Sequence, residues 1–257
     1  MKIRQGMSQL ITIGKKCFYR FFPSAHVSAY IRTLYLKRHV RHYCFSHTLD
    51  AGCGTGLFTL FLAEKFPQAQ FVGYDISRDD ILQCDKEAGR KGLRNVSFQV
   101  QNLMELDEYE RYDFIFSIDC LEHIPGNRRV IDNLVKALAP GGILYLAMPG
   151  ENKHRYLFPK RYFEQYTKWA SGEHIGDQYT RDELVAVFRA LQLNILHSQY
   201  TFGFWGKLAW ELDMLTDRKP GLKTILLPLL FCIGALDPFF SNNSGPYGLL
   251  VIGQKPR

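Results

Sequence analysis

The run LDAGCGTG at 49 to 56, followed by FVGYD ending at Asp75, joins a strand, a glycine turn and an acidic strand end. A strand that binds a nucleotide needs glycines where the backbone turns into a helix and approaches its ligand. Gly52, Gly54 and Gly56 stand at those places. A dinucleotide fingerprint would put its third glycine three positions after the second, so that the helix N-terminus faces a pyrophosphate. Here it follows after two. Asp50, two residues before the first glycine, would repel a phosphate but could hold an ammonium group. Asp75, nineteen residues beyond Gly56, is placed at the end of the next strand to accept from ribose hydroxyls. The chemistry indicated is a nucleoside cofactor with a cationic end.

Further pieces follow in order: VSFQVQNL at 96 to 103, YDFIFSIDCLEHI at 112 to 124, the turn LAPGG at 138 to 142 and ILYLAMP after it. Together with the glycine loop they resemble the class I S-adenosylmethionine-dependent methyltransferases across roughly residues 46 to 150. The resemblance implies S-adenosylmethionine as cofactor. It places Asp50, Gly52 and Gly54 on the methionine part, Asp75 on the ribose and Ile76 on one side of the adenine, with Gly56 also among the cofactor-binding residues. Asn102 and Leu103 end the third strand, where Asn102 can accept from the adenine amino group, and Ile118 approaches the sulfonium side.

A sulfonium methyl is attacked in line, so the protein must align acceptor, methyl and sulfur and keep water out. A hydroxyl acceptor also needs a base, and His suits neutral pH. The candidates are His123 with Glu122 after the fourth strand, His174 in the loop before a later helix, and His154 beside Arg155. The run Asp119, Cys120, Leu121, Glu122, His123 is similar to the acidic-x-x-Glu-His run of the ubiquinone-pathway O-methyltransferases. That similarity would make Asp119, Glu122 and His123 ligands of a divalent cation, with an oxygen-rich preference for magnesium. Asp at 119 departs from the pattern, and no metal is assigned. Nucleic-acid amino-methyltransferases of this kind carry Asn/Asp-Pro-Pro-Tyr/Phe where this chain has Asp119, Cys120, Leu121, Glu122. Nucleic acid therefore ranks below a small acceptor.

The elements that must position these groups read as strands near 47–50, 70–75, 96–101, 112–118, 142–148, 194–200 and 247–254. Helices alternate with the early strands, at about 55–66, 78–91 and 127–138. This is an α/β pattern with a doubly wound, mainly parallel sheet. The resemblance adds the Rossmann-like order 3-2-1-4-5-7-6 with an antiparallel seventh strand. Thr180 and Glu183 form a T-x-x-E capping box, so a helix starts there and runs to about Leu191.

At 257 residues and 46% hydrophobic content the chain suits one α/β domain with insertions. Its six scattered cysteines include no CxxC pair, which points to a reducing, cytoplasmic compartment. The net charge of +7 is unevenly spread: residues 1–49 hold nine Lys or Arg and no Asp or Glu. Residues 1–45 read as a basic helical arm, with amphipathic segments at about 8–22 and 27–42, and 46–257 as the methyltransferase domain with insertions at about 150–179 and 201–246. Three uses of the arm compete: a lid over the cofactor, an anionic membrane surface, or nucleic acid.

The 201–246 interval has an aromatic-rich helix candidate from Phe202 to Leu215 and an apolar run in TILLPLLFCIGALDPFF at 224–240. That run reads as too short to span a bilayer of roughly 20 helical residues, and as interrupted by Pro228 and Pro238. A buried helix, a substrate wall or an interfacial contact remain open for it. The expected function is methyl transfer to a small, apolar or lipid-linked acceptor at oxygen, with peripheral attachment through residues 8–22 and 222–240. The alternatives are a nucleic-acid or protein methyltransferase recruited by the arm, and a catalytically silent cofactor-binding scaffold.

Overall fold

The structure is a computed structural model that describes residues 26–150, 156–217, 219–240 and 247–257. The arm segment at 8–22 and His154 lie outside them. Seven strands form one sheet in the order β3-β2-β1-β4-β5-β7-β6, as the resemblance implied: β1 His47–Ala51, β2 Gln70–Asp75, β3 Val96–Val100, β4 Tyr112–Ile118, β5 Leu138–Pro149, β6 Asn194–Thr201 and β7 Gly248–Gln254. Pairings are parallel from β3 to β5, and β7 runs antiparallel to both β5 and β6. The turn expected at LAPGG is drawn into the start of β5. Leu138 already pairs with Tyr112, and a register shift then absorbs the glycines before Phe114 meets Ile143.

The helices are α1 Val27–Val40, α2 Leu57–Lys65, α3 Arg78–Lys91, α4 Arg128–Ala137, α5 Glu164–Glu173, α6 Arg181–Ala190, α7 Phe204–Thr216, α8 Pro220–Ala235 and the short α9 Asp237–Phe240. The central strands are buried on both faces, so their residues alternate between two cores. Along β4, Phe114, Phe116 and Ile118 enter the core that α1, α7 and α8 cover, while Tyr112 and Ile115 enter the core beneath α4 and α6. The capping box forms as expected: the Thr180 hydroxyl accepts from Glu183 N and the Glu183 carboxylate accepts from Thr180 N, at the head of α6.

α1 is held by its apolar residues. Val27, Tyr30, Ile31, Tyr35, Leu36 and Val40 are buried around several sides of the helix, between the sheet and α7 and α8. α7 is fastened by two buried carboxylates. Glu211 accepts from the backbone N–H groups of Leu157 and Phe158, which ties the segment before α5 to α7. Asp237 accepts from Tyr35 Oη and Gly206 N, each at 2.8 Å, which ties α9 to α1 and α7.

The expectation for the apolar stretch at 224–240 is corrected on length. α8 and α9 run together through Gly221–Phe240, 20 residues whose most apolar 18-residue stretch has a mean hydropathy of 1.7, long and apolar enough to cross a membrane by length and composition. Pro228 does not end the helix; it sits within α8.

Candidate active site

At the carboxyl ends of β1 and β2 the glycine loop is stitched to the second acidic residue. Gly54 N donates to Asp75 Oδ2 at 2.7 Å, and Ser77 N donates to Asp75 Oδ1 at 2.9 Å, so one carboxylate fixes both the loop and the first turn of α3. Gly54 has φ +49, and a Cβ there would meet nothing within 4 Å: the loop presents open backbone. Gly56 serves packing instead, since with φ +76 its Cβ would lie 2.8 Å from Cys84 Sγ. Ile76 is 71% exposed beside the loop, an apolar surface with no protein partner over it.

The other cofactor candidates lie on and beside the neighbouring strands. Asp50 is buried beneath the loop, where its carboxylate accepts from the Thr59 hydroxyl of α2. Burial pushes its pKa up to about 7, against the Thr59 hydrogen bond. Asn102 Oδ1 accepts from Met104 N at 3.0 Å and keeps a second lone pair for a ligand donor. Leu103 and Ile118 are buried in the cores on the two sides of the sheet. Open glycine backbone, an exposed apolar flank and carboxylates behind the loop fit a nucleoside with a cationic amino-acid end.

β4 leads directly into the second half of the site. Asp119 has φ 52, a left-handed conformation that Asp tolerates better than most residues, and the chain then makes a 3₁₀ turn at Leu121–His123. This brings Glu122 and His123 against the C-terminal end of α5. His123 Nδ1 lies 2.9 Å from the Glu173 carbonyl, to which it donates, so the lone pair is left on Nε2. The His123 and His174 rings meet edge to face at 5.0 Å.

Gly176 explains how the two loops come so close. A Cβ there would lie 2.4 Å from Leu121 O and 2.7 Å from Ile124 O, so only glycine lets the segment after His174 rest on the 3₁₀ turn. Gly176 N donates to Glu122 O at 2.8 Å. Asn127, fully buried, donates to Leu121 O and Asp177 O and accepts from Tyr179 Oη, which clasps the same two segments.

Glu122, His123 and His174, named separately from the sequence, therefore form one cluster with one ligand atom of each within 4.8 Å of the others. Such a set could hold a divalent ion, and two imidazoles with one carboxylate suit zinc, iron or manganese better than magnesium. The ligand set implied by the resemblance changes in one member: Asp119 turns away to the Arg32 guanidinium of α1, and His174 takes its place.

A cavity of about 220 Å³ opens over this cluster. Its polar floor is Asp119, Glu122, His123 and His174; Ser28 and Arg32 of α1 enter from one side, and its walls include Tyr166 and Trp169 of α5, Phe202, Trp210 of α7 and Tyr247. Arg32 also stands 4.7 Å over the Phe202 ring. Burial pushes Tyr166 up to about 12, so its phenol stays protonated at neutral pH. Arg32, Tyr166, Trp169 and Tyr247 escaped the sequence reading, because each lies on an element whose facing was not legible. Gly176, two residues after a candidate histidine, was the one available signal for close loop contact.

An open, mainly parallel sheet with a glycine loop after its first strand and a cavity at its carboxyl edge is the architecture of a doubly wound, nucleoside-cofactor-binding domain. The chain belongs to the family whose model is described as a methyltransferase domain, matched over residues 46–190. It is similar to the trans-aconitate 2-methyltransferase of Acidovorax sp. (strain JS42), 32% identical over 131 residues that cover 51% of this chain and 48% of that protein. It also resembles a ubiquinone biosynthesis O-methyltransferase of Coxiella burnetii (strain Dugway 5J108-111), 32% identical over 113 residues, 44% and 47% of the two chains. The matched part thus spans about half the length of these curated relatives. Among solved structures, coclaurine N-methyltransferase bound to N-methylheliamine and SAH aligns with a TM-score of 0.61 at 18% identity, covering 88% of this chain and 72% of that one. At that identity the likeness is one of fold. The expected class I S-adenosylmethionine-dependent methyltransferase domain is met in both fold and family.

Proposed function

We propose that the protein transfers the methyl group of S-adenosylmethionine to an oxygen of a small, apolar or lipid-linked acceptor, with His123 as the base. The observation that carries this reading is the cavity itself: aromatic walls over a histidine whose tautomer is fixed by the Glu173 carbonyl. When bound, S-adenosylmethionine supplies an electrophilic methyl on a positively charged sulfur. Asp50, the 52–56 loop and Asp75 hold its amino-acid and ribose parts, and Ile76 and Asn102 flank the adenine. The ring faces of Trp169, Trp210 and Tyr247 exclude water and orient an apolar acceptor. His123 Nε2 would take the acceptor's hydroxyl proton, leaving the oxygen able to receive the methyl group that the bound cofactor would supply. Glu122 Oε1 lies 4.0 Å from His123 Nε2, and His174 braces the ring.

The two relatives whose names specify methyltransferases of trans-aconitate and of ubiquinone biosynthesis support a small-molecule acceptor. The net positive arm and the apolar α8 support an acceptor that resides at a membrane, with the enzyme cytoplasmic and peripheral. Substituting Gln for His123 and for His174 separately tests the assignment. His123→Gln is expected to retain S-adenosylmethionine affinity and lose about 10²- to 10⁴-fold in turnover, with a smaller loss for His174→Gln. Wild-type turnover in both variants would remove the histidine base.

A further inference from the structure

Beyond Lys223 and Thr224 in its first turn, helix α8 is apolar on all sides, a pattern of helices that are covered all round. One face is covered: Leu230, Phe231 and Gly234 pack on α1 and α7, with the Tyr30 and Phe231 ring centroids 4.7 Å apart. The opposite face is bare. Leu222, Ile225, Leu229 and Cys232 follow at spacings of 3, 4 and 3 residues, which makes one stripe along the helix. Ile225 is 75% and Leu229 56% exposed, and Phe239 and Phe240 of α9 continue the surface at 78% and 60%.

We propose that this stripe docks on an anionic lipid bilayer and lies in its interface without spanning it. The proposal deepens the membrane-acceptor reading above and rests on it for its purpose. Charge selects the occupant. Beside the stripe, Lys223 is already paired with Asp213 and Asp217, which leaves Arg218 and Lys219 as the basic groups at the head of α8. Residues 1–25 hold five Lys or Arg and no acid, and they join the fold at His26, within electrostatic reach of Asp213, which pairs with Lys223 of α8. The arm laid on the stripe would bring its five basic groups up to Arg218 and Lys219. A layer of anionic headgroups complements both at once.

Packing decides between lying and spanning. The inner face of α8 is buried against α1 and α7, and Asp237 is fully buried where it accepts from Tyr35 Oη and Gly206 N. Arg38 donates to the Pro238 carbonyl. A span would have to give up all of these contacts, whereas an in-plane helix keeps them and buries only its free stripe. The layer also has two uses: α1 and α7, which carry α8 on one side, supply Ser28, Arg32 and Trp210 to the acceptor cavity.

Cys232 in the stripe and Cys44 between α1 and β1 are both exposed free thiols, which provides a probe and a control in the unaltered chain. Alkylation of each is followed by peptide mass spectrometry, with vesicles of phosphatidylcholine alone or with about a third phosphatidylserine. The expected result is at least about a tenfold slowing at Cys232 with the anionic vesicles, less with neutral ones, and no change at Cys44. The double substitution Ile225→Glu, Leu229→Glu, at two exposed positions, is expected to weaken co-sedimentation with anionic vesicles at least about tenfold. Its thermal melt and S-adenosylhomocysteine binding report that the fold is kept. Equal Cys232 rates with and without vesicles overturn the proposal. So does a Cys232 that is slow without lipid: dependence on protein concentration, with a dimer in sedimentation velocity, assigns the stripe to a second copy, and independence assigns it to the chain's own arm. None of these readouts needs turnover, so docking can fail while methyl transfer to an acceptor presented in detergent persists, and the reverse.

Discussion

Replacing Asp50 by Asn tests the cofactor cradle without knowledge of the acceptor. Asp50 is 2% exposed, and burial raises its pKa from 3.8 to about 7, with the Thr59 hydrogen bond acting in the opposite direction. The free protein therefore holds this carboxyl about half protonated at pH 7. An ammonium group brought to it favours the ionised form, so cofactor binding expels the proton. With an ionised complex the apparent Kd scales as 1 + 10^(7 − pH), which falls from about 11 at pH 6 to about 1.3 at pH 7.5, an affinity gain of about eightfold. The interval stops there because an α-amino group itself titrates near 8. Calorimetry in buffers of different ionisation enthalpy should show about half a proton released at pH 7. The Asn variant should bind about tenfold more weakly, with a flat profile.

Stability should move the other way. Because the folded chain holds the Asp50 proton more tightly than the unfolded chain, wild-type stability is highest below pH 4 with respect to this group and declines as pH rises to 7. Above that the buried carboxylate costs up to about 4 kcal/mol, so Asp50→Asn should melt higher than wild type at pH 8 without cofactor. A Kd independent of pH between 6 and 7.5 with no proton release, or an Asn variant that keeps wild-type affinity, would refute the placement of the ammonium group at Asp50.

Gly176→Ala should push the 174–177 segment off the 3₁₀ turn, because its Cβ would stand 2.4 Å from Leu121 O. A shift approaching 1 Å should lower turnover about 100-fold, cost about 1–3 kcal/mol of stability and leave cofactor affinity unchanged; steady-state kinetics beside calorimetry will separate these. Chelation followed by dialysis should leave turnover intact if His123 acts as base. Loss that zinc or manganese restores and magnesium does not would move Glu122, His123 and His174 into ligand roles.

The sheet was legible because strand alternation, glycine turns and the Thr180–Glu183 box are local signals. Its order was not, since nothing in residues 46–150 says on which side β7 inserts; that came from the resemblance. Of the cofactor candidates, Gly54 and Asp75 are joined directly, whereas Leu103 and Ile118 are buried in the two cores. The acceptor side was harder to read because its contacts are long-range: Arg32 meets Asp119 across 87 positions, and His123 meets Glu173 across 50. The resemblance paired Asp119 with Glu122 and His123, but a guanidinium from α1 claims it. α8 was misjudged in length because Pro228 removes only one helical hydrogen bond, and the helix is held by packing on α1 and α7.

Labelled methyl transfer from S-adenosylmethionine into fractionated cell lipids and soluble metabolites, read by wild type beside His123→Gln, addresses the central claim most directly. The account predicts an O-methylated product in an apolar fraction with wild type and its loss with the variant. Cofactor that binds and is never consumed in any fraction, or a label that appears on nucleic acid or protein, would contradict it.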